Sequence, residues 1–415
     1  MAVLELVREN TPINPPLLPA LQRRIEEQFA PRWKDTWGGR FVLHGKQPGP
    51  NAVRLDGNDY LCVTGHSDIV SAQVDALTRC SEFVVQSGVF LLQQHPTRSL
   101  EVALATWVGK EDGFVCQSGY AANVGLLQSI ADANTPVYLD SLAHTSLWEG
   151  AHAARAPAHA FRHNDPEHLD KMMERKGAGI VVVDSVYSTT GAVCPLKKMV
   201  EVTEKHGGMI LVDESHSLGI HGPAGSGLCA ELGLTDRVHF ITASLAKAMA
   251  GRAGFFTAPA SLRYHILSSS YPNIFSSCLL EPEVAGLKAT IKVLQRADAE
   301  RARLKDVTRR VRSTLADLGY WIHQGTEQII SLEAGTEPDT MRLRDELEKR
   351  EVFGAIFCAP ATSRNRAMVR LTLNSNLTDA ELDHVEHVAR EIAPLVKPWD
   401  WPIARRMRSI GAQAS

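Results

Sequence analysis

The chain has no Cys-x-x-Cys pair, and its seven cysteines (Cys62, Cys80, Cys116, Cys194, Cys229, Cys278 and Cys358) stand singly. An odd, scattered set encodes neither a disulfide framework nor a zinc ribbon, and it points to a reducing compartment. No run of 18 uncharged apolar residues occurs, so no spanning helix is expected. The opening MAVLELVREN lacks the basic start and long apolar stretch of a secretory signal, and a cytoplasmic protein is expected. A charge excess is missing too: 44 Lys and Arg face 47 Asp and Glu, a formal charge of −3. A chain so near neutrality has no global electrostatic reason to bind nucleic acid or an anionic membrane. Repeats and low-complexity tracts are also lacking.

What remains is a globular composition. Hydrophobic residues make up 44% and charged residues 22% of 415, enough to bury a large core across more than one domain. Residues 1–44, with a Pro-rich opening (Thr11 to Pro19) and an amphipathic helix near Leu21–Phe29, read as an arm packing on a neighbour. From about residue 50, apolar runs at Gly113–Cys116, Pro136–Leu139, Gly179–Asp184, Met209–Asp213, His239–Ala243 and Gly254–Thr257 predict strands. Helical patterns at Ala121–Ile130, Leu147–Ala154 and Leu196–His206 lie between them. That alternation predicts βαβ units and a mostly parallel sheet. After Pro282 the pattern changes. A helical run over Val284–Leu318 precedes strands near Trp321–His323, Gln328–Glu333 and Met368–Leu373, with helices near Asp339–Glu351 and Asp379–Ile392. The expectation is a large α/β domain over residues 45–285 and a small α+β domain over 286–415.

The strongest chemical signal is Gly208-Met-Ile-Leu-Val-Asp213-Glu-Ser-His216, an apolar strand ending in an acid. In open α/β sheets ligands bind at the carboxyl ends of strands, and a buried carboxylate there needs a cation. Magnesium is one choice, a protonated pyridine nitrogen another, and an acid capping a turn a third. Magnesium with a nucleotide needs G-x-x-x-x-G-K-[ST]. The two Gly-Lys pairs, Gly45-Lys46 and Gly109-Lys110, lack both the upstream glycine and the following Ser or Thr. Neither G-x-G-x-x-G opening a helix nor the G-x-S-x-G elbow of hydrolases is present. The pyridine reading needs a lysine, and Lys247 stands in Thr242-Ala-Ser244-Leu-Ala-Lys247, among small and apolar residues after the next strand. A lone lysine is usually a solvated surface group, but in an apolar stretch an imine relieves the cost of a buried ammonium. Gln117-Ser118-Gly119-Tyr120-Ala-Ala-Asn123 follows a strand and opens a helix, the geometry that binds phosphate; a plain helix cap is the competing reading. His144 follows another strand and could lie on a ring, although a lone histidine is more often structural. His384 and His387 read as a solvated helix face, not as metal ligands.

With these residues in view, the chain resembles the α-oxoamine synthases, pyridoxal-phosphate enzymes of the type I aminotransferase fold. The resemblance rests on Asn58-Asp-Tyr-Leu, Ser118-Gly-Tyr-Ala-Ala-Asn, His144, Val186-Tyr-Ser188-Thr-Thr-Gly, Val212-Asp-Glu-Ser-His-Ser-Leu-Gly, Gly222-Pro-Ala-Gly-Ser-Gly, Ser244-Leu-Ala-Lys247 and Val369-Arg370-Leu-Thr-Leu, in matching order and spacing. It covers nearly all of the chain past residue 50. The resemblance implies that Lys247 is the Schiff-base lysine and proton shuttle and that Asp213 pairs the pyridinium. It puts His216 and Ser188 on the phenolic oxygen, His144 against the ring, and Gly119, Tyr120 and Ser244 on the phosphate. A serine pair from the other subunit of a homodimer reaches that phosphate in the family, and Ser276-Ser277 stand at the corresponding place. Arg370 is similar to the arginine that grips the amino-acid carboxylate, and Asn58 and Thr362 fall at substrate-side positions.

Departures point to a subgroup. The glycine-rich segment of biotin- and haem-pathway members is replaced by the bulky Gln86-Ser-Gly-Val-Phe-Leu-Leu-Gln-Gln-His95, and the usual Ser-Met-Asp-Gly by Ser188-Thr-Thr-Gly191. With Ser146-Leu-Trp-Glu-Gly150 and Phe357-Cys-Ala-Pro-Ala-Thr-Ser363, these resemble the bacterial α-hydroxyketone autoinducer synthases. That subgroup implies a medium-chain acyl-CoA and S-adenosylmethionine or 2-aminobutyrate as substrates, joined with loss of CO₂. The alternative is a general synthase using glycine, alanine or serine, of the 8-amino-7-oxononanoate synthase or 2-amino-3-ketobutyrate CoA ligase type. From other classes, a DExH-like ATPase and a non-catalytic binding protein on the same fold stay open.

Overall fold

A computed structural model describes residues 15–79, 85–322 and 324–406. Seven strands form the main sheet: β1 (Asp112–Cys116), β2 (Val137–Asp140), β3 (Ala158–Phe161), β4 (Ile180–Asp184), β5 (Met209–Asp213), β6 (Phe240–Ser244) and β7 (Gly254–Ala258). Their order is β1-β7-β6-β5-β4-β2-β3. Only β7 runs against the rest, antiparallel to both β1 and β6. Ile180–Asp184 is buried throughout, as expected of a strand covered by helices on both faces, where no polar alternation is needed. The apolar runs match the sequence expectation to within a residue or two at each end. β3 was not anticipated, because Ala-His-Ala-Phe is too short and mixed to show a period.

The covering helices include α1 (Ser67–Arg79), α2 (Pro96–Trp107), α3 (Gly119–Ile130), α4 (Thr145–Ala153), α5 (Pro166–Lys176) and α6 (Leu196–Lys205). The expected helix over Val284–Leu318 is two, α7 (Glu281–Gln295) and α8 (Asp298–Asp317). No glycine or proline marks the break. Arg301, buried under it, donates to the carbonyls of Leu294 at 2.7 Å and Gly219 at 3.2 Å, satisfying the open end of α7.

Beyond α8 lies a three-stranded antiparallel sheet of β8 (Ile329–Gly335), β9 (Ala355–Phe357) and β10 (Ala367–Thr372), in the order β9-β10-β8. Helices α9 (Glu337–Glu348) and α10 (Asp379–Val396) accompany it. The expected strand near Trp321–His323 is absent at Trp321 and Ile322, and His323 lies outside the described residues. Arg312 instead occupies the carbonyls of Ile322, Gly325, Glu327 and Ile329, so this backbone is satisfied by a side chain and not by a ladder. The arm divides in two. Trp37 and Val42 are buried, and Arg32 and the Trp37 indole bond Glu337 of the same chain. Leu17, Leu18, Ile25 and Phe29 stay exposed. The part expected to pack on a neighbour therefore starts before Trp33, and the opening as far as residue 14 lies outside the described residues. No described helix is long and apolar enough to cross a membrane.

Candidate active site

The carboxyl ends of β1, β2, β4, β5 and β6 open on a cavity of about 420 Å³, closed on the far side by β10. Asp213 ends β5 and is buried. Its two oxygens accept the Asn123 amide at 2.8 Å and the Ser215 N–H at 2.9 Å. No cation among the described residues pairs with it. Asp184 is its register partner on β4. Burial and the nearby Asp213 and Asp140 push the Asp184 carboxyl well above its ordinary range. A buried carboxylate with no cation in contact with it is suited to a cationic guest.

Lys247 lines the cavity from the turn after β6. Burial, helped by the Arg370 charge and opposed by Asp213, holds its amine below the usual lysine range. Its Nζ makes no hydrogen bond or ion pair with any described residue. Such an amine is a nucleophile and base nearer neutral pH.

Gly119 begins α3, with Ser118 as N-cap accepting from the Ala121 N–H at 3.1 Å. A Cβ on Gly119 would stand 2.5 Å from the Ser244 Cβ, so only glycine lets the start of α3 meet the end of β6. Free N–H groups of that first turn and the Ser244 hydroxyl share one wall, a cradle suited to phosphate. Tyr120, half exposed, stands at the mouth.

His144 caps α4 and is pushed below the usual imidazole range by burial. His216 is buried and lies well below it for the same reason, reinforced by the charges of Lys247 and Arg370. Arg370, buried on β10, donates to the Ser188 carbonyl and to Asn58 Oδ1, both at 3.0 Å. Its guanidinium stacks 4.5 Å from the Phe357 ring centre.

The cavity thus gathers Asn58, Gly119, Tyr120, His144, Ser188, Asp213, His216, Ser244, Lys247 and Arg370, from segments over 300 residues apart. Ser276, Ser277 and Thr362 do not line it. Ser276 donates to the Pro272 carbonyl at 2.5 Å, and Ser277 accepts the Gln117 amide just before the α3 cap. Thr362 is one residue past the lining Ala361. The bulky segment of the Gln86–His95 stretch also stays away: Phe90 and Leu92 are 65% and 74% exposed. Among the lining or supporting residues to which the sequence assigns no role are Tyr60, Asn123, Ser146, Asp184, Ser215 and Phe357. For Asp184 the signal was at hand, since Val-Val-Val-Asp repeats the apolar-strand-then-acid pattern of Asp213. His384 Nε2 donates to the Arg350 carbonyl at 2.7 Å, and no metal-binding cluster occurs among the described residues.

Residues 50–388 match the family Aminotransferase class I and II. The chain is 43% identical to the CAI-1 autoinducer synthase of Vibrio campbellii, covering 85% of this chain and 89% of that protein. The chain is an α-oxoamine synthase of this aminotransferase family. It is 30% identical to the 8-amino-7-oxononanoate synthase of Anaeromyxobacter dehalogenans, again over 85% of this chain and 89% of the relative. The serine palmitoyltransferase of S. paucimobilis with bound PLP–myriocin aldimine superposes with a TM-score of 0.84 at 26% identity, over 91% of this chain and 99% of that one. The synthase therefore has the type I fold of pyridoxal-phosphate enzymes, and its cofactor is pyridoxal phosphate. The residues present fit that group: an uncompensated buried carboxylate for a pyridinium, an unpaired amine for an aldehyde, and the Gly119 cradle for a phosphate.

Proposed function

We propose that the synthase joins a medium-chain acyl-CoA to S-adenosylmethionine or 2-aminobutyrate, with loss of CO₂, to make the aminoketone precursor of a quorum-sensing signal. The observation that carries this reading is the 43% identity to a CAI-1 autoinducer synthase, against 30% to an 8-amino-7-oxononanoate synthase over the same share of the chain.

The assigned roles follow the cavity. Lys247 would hold the cofactor through its amine and serve as the base for the α-proton of the amino substrate, a role its lowered basicity allows. Bound pyridoxal phosphate supplies the electron sink for that deprotonation. Asp213 keeps a proton on the ring nitrogen, and the Asn123 and Ser215 donors orient it. His144 would lie against the cofactor ring, and His216 and Ser188 would serve its phenolic oxygen. Gly119, Tyr120 and Ser244 hold the phosphate, joined by Ser276 and Ser277 of a second copy in a homodimer. Arg370, braced by Asn58 and Ser188, grips the substrate carboxylate with Thr362 nearby. The deprotonated carbon attacks the thioester carbonyl, CoA leaves as its thiol, and the carboxylate departs as CO₂.

Steady-state kinetics on four- to fourteen-carbon acyl-CoAs, each with S-adenosylmethionine, 2-aminobutyrate, glycine, alanine and serine, test the reading. A medium-chain optimum with one of the first two donors is expected, since each buried methylene contributes about 0.8 kcal/mol. Best turnover with acetyl- or succinyl-CoA, or with glycine, overturns it in favour of a general synthase.

A further inference from the structure

The two cavity histidines are each bonded on one side only. His144 Nδ1 lies 2.7 Å from Ser146 Oγ and 3.3 Å from the Ser146 N–H. His216 Nδ1 lies 2.5 Å from the Tyr60 hydroxyl. The Nε2 atoms of both make no hydrogen bond with any described residue, and both residues line the cavity. Which nitrogen carries the proton follows from the partners.

For His144 the chain of donors starts at Asp213. An ionised carboxylate only accepts, so the Asn123 side chain must turn its NH₂ toward Asp213. The second hydrogen of that NH₂ goes to Ser146 Oγ at 2.8 Å. With one lone pair of Ser146 taken, its own hydrogen points to His144 Nδ1, where the Ser146 backbone N–H also points. Two donors converge on Nδ1, so Nδ1 bears no hydrogen and the proton of the neutral ring sits on Nε2.

For His216 the deciding partner is Tyr60. Gln328 donates its amide to the His216 carbonyl at 3.2 Å. The Tyr60 hydroxyl hydrogen has His216 Nδ1 as its acceptor at 2.5 Å. Full burial pushes the Tyr60 hydroxyl upward, so it keeps its hydrogen. His216 then also carries its proton on Nε2.

We propose that Ser146, through Asn123, and Tyr60 are positioning residues that lock His144 and His216 as neutral Nε2–H tautomers, so that both present donors to the cavity. The consequence is a division of labour. Neither histidine has a basic nitrogen facing the substrate, and Asp213 is occupied by Asn123 and Ser215. Lys247 is left as the base. The Nε2–H of His144 is a donor for an anionic or carbonyl oxygen of a substrate, and that of His216 for an oxygen on the cofactor. This deepens the reading under the previous heading and rests on it for the substrate's identity, not for the tautomers.

Ring-¹⁵N histidine NMR of the holoenzyme tests the locks directly. Both residues should show an unprotonated, pyridine-type Nδ1 and a protonated Nε2 below neutral pH, assigned by the loss of each signal in His144→Gln and His216→Gln. Ser146→Ala should let His144 sample the other tautomer and move the acid limb of the kcat/KM profile to higher pH, because donors to Nδ1 oppose its protonation. The accompanying loss in kcat/KM should be roughly three- to tenfold, the size of one hydrogen bond. Tyr60→Phe should do the same at His216 and shift the visible cofactor spectrum. A proton on Nδ1 of His144 or His216 in the unmodified enzyme overturns the proposal, whether or not the variants fold. So does a Ser146→Ala profile with an unmoved acid limb. The tautomers are read without substrate, so a failed acyl-CoA and donor panel leaves this result standing and is a separate outcome.

Discussion

Replacing Arg370 by lysine keeps the charge and removes the planar fork, which separates two things the guanidinium does. In the structure Nη1 is spent on the Ser188 carbonyl and Nη2 on Asn58 Oδ1, each at 3.0 Å. Nε is buried without a partner, and the plane is held against Phe357. A substrate carboxylate would be met two-pronged by the Nη hydrogens that the braces leave over. Lysine offers a point charge with no fixed direction, so one of those two bonds is lost. A charge-assisted hydrogen bond contributes about 1.5–3 kcal/mol, which is roughly a 10- to 150-fold fall in kcat/KM for the amino donor. The assay varies each substrate at saturating levels of the other, with the visible cofactor band recorded to show that the cofactor is retained. KM for the acyl-CoA should stay within about twofold. A penalty confined to the acyl-CoA, or an amino-donor kcat/KM within threefold of the parent, would refute the assignment of Arg370 to the carboxylate.

Asp213→Asn should keep the cofactor but lose turnover by at least about 10², since an amide cannot hold a pyridinium and preorganised charge in a buried site commonly lowers barriers by several kcal/mol; activity within twofold would make Asp213 a turn acid. Gly119→Ala puts a methyl 2.5 Å from the Ser244 Cβ, and the forced shift, about 1–3 kcal/mol for an overpacked contact, should weaken pyridoxal-phosphate binding roughly tenfold or more in a fluorescence titration of apoenzyme. Unchanged affinity would put the phosphate elsewhere. His221 lies 3.2 Å from Glu231 Oε2 and 3.1 Å from Glu327 Oε2, and these carboxylates raise it to about 9 although burial opposes them. A raised histidine stabilises the fold fully below its unfolded value of about 6.5 and loses that contribution as pH rises through the folded one. Stability from denaturant titration should therefore fall between about pH 6.5 and 9, by up to about 3 kcal/mol, and His221→Gln should flatten that fall; a parent curve identical to the variant's would remove the ion pair from the stability of the fold.

The sheet was legible in the sequence because strands buried on both faces must be continuously apolar, and Ile180–Asp184 and Met209–Asp213 are little else. Asp213 and Lys247 stood out for a related reason: a charge at the edge of an apolar run costs too much to be incidental. The Gly119 turn was legible as strand, cap and helix. The hidden parts were those that depend on which remote segment arrives. Arg301 breaks a helix that has no breaker, and Arg312 replaces an expected strand by satisfying its carbonyls, neither of which has a local signature. Tyr60 and His216 lie 156 positions apart, and Asn123 and Asp213 lie 90 apart. The sequence determined which groups could carry the chemistry, since burial cost and residue type are local properties. Only the tertiary structure decided which nitrogen of each histidine faces the cavity, because a tautomer is set by the partner that folding brings to the other side of the ring.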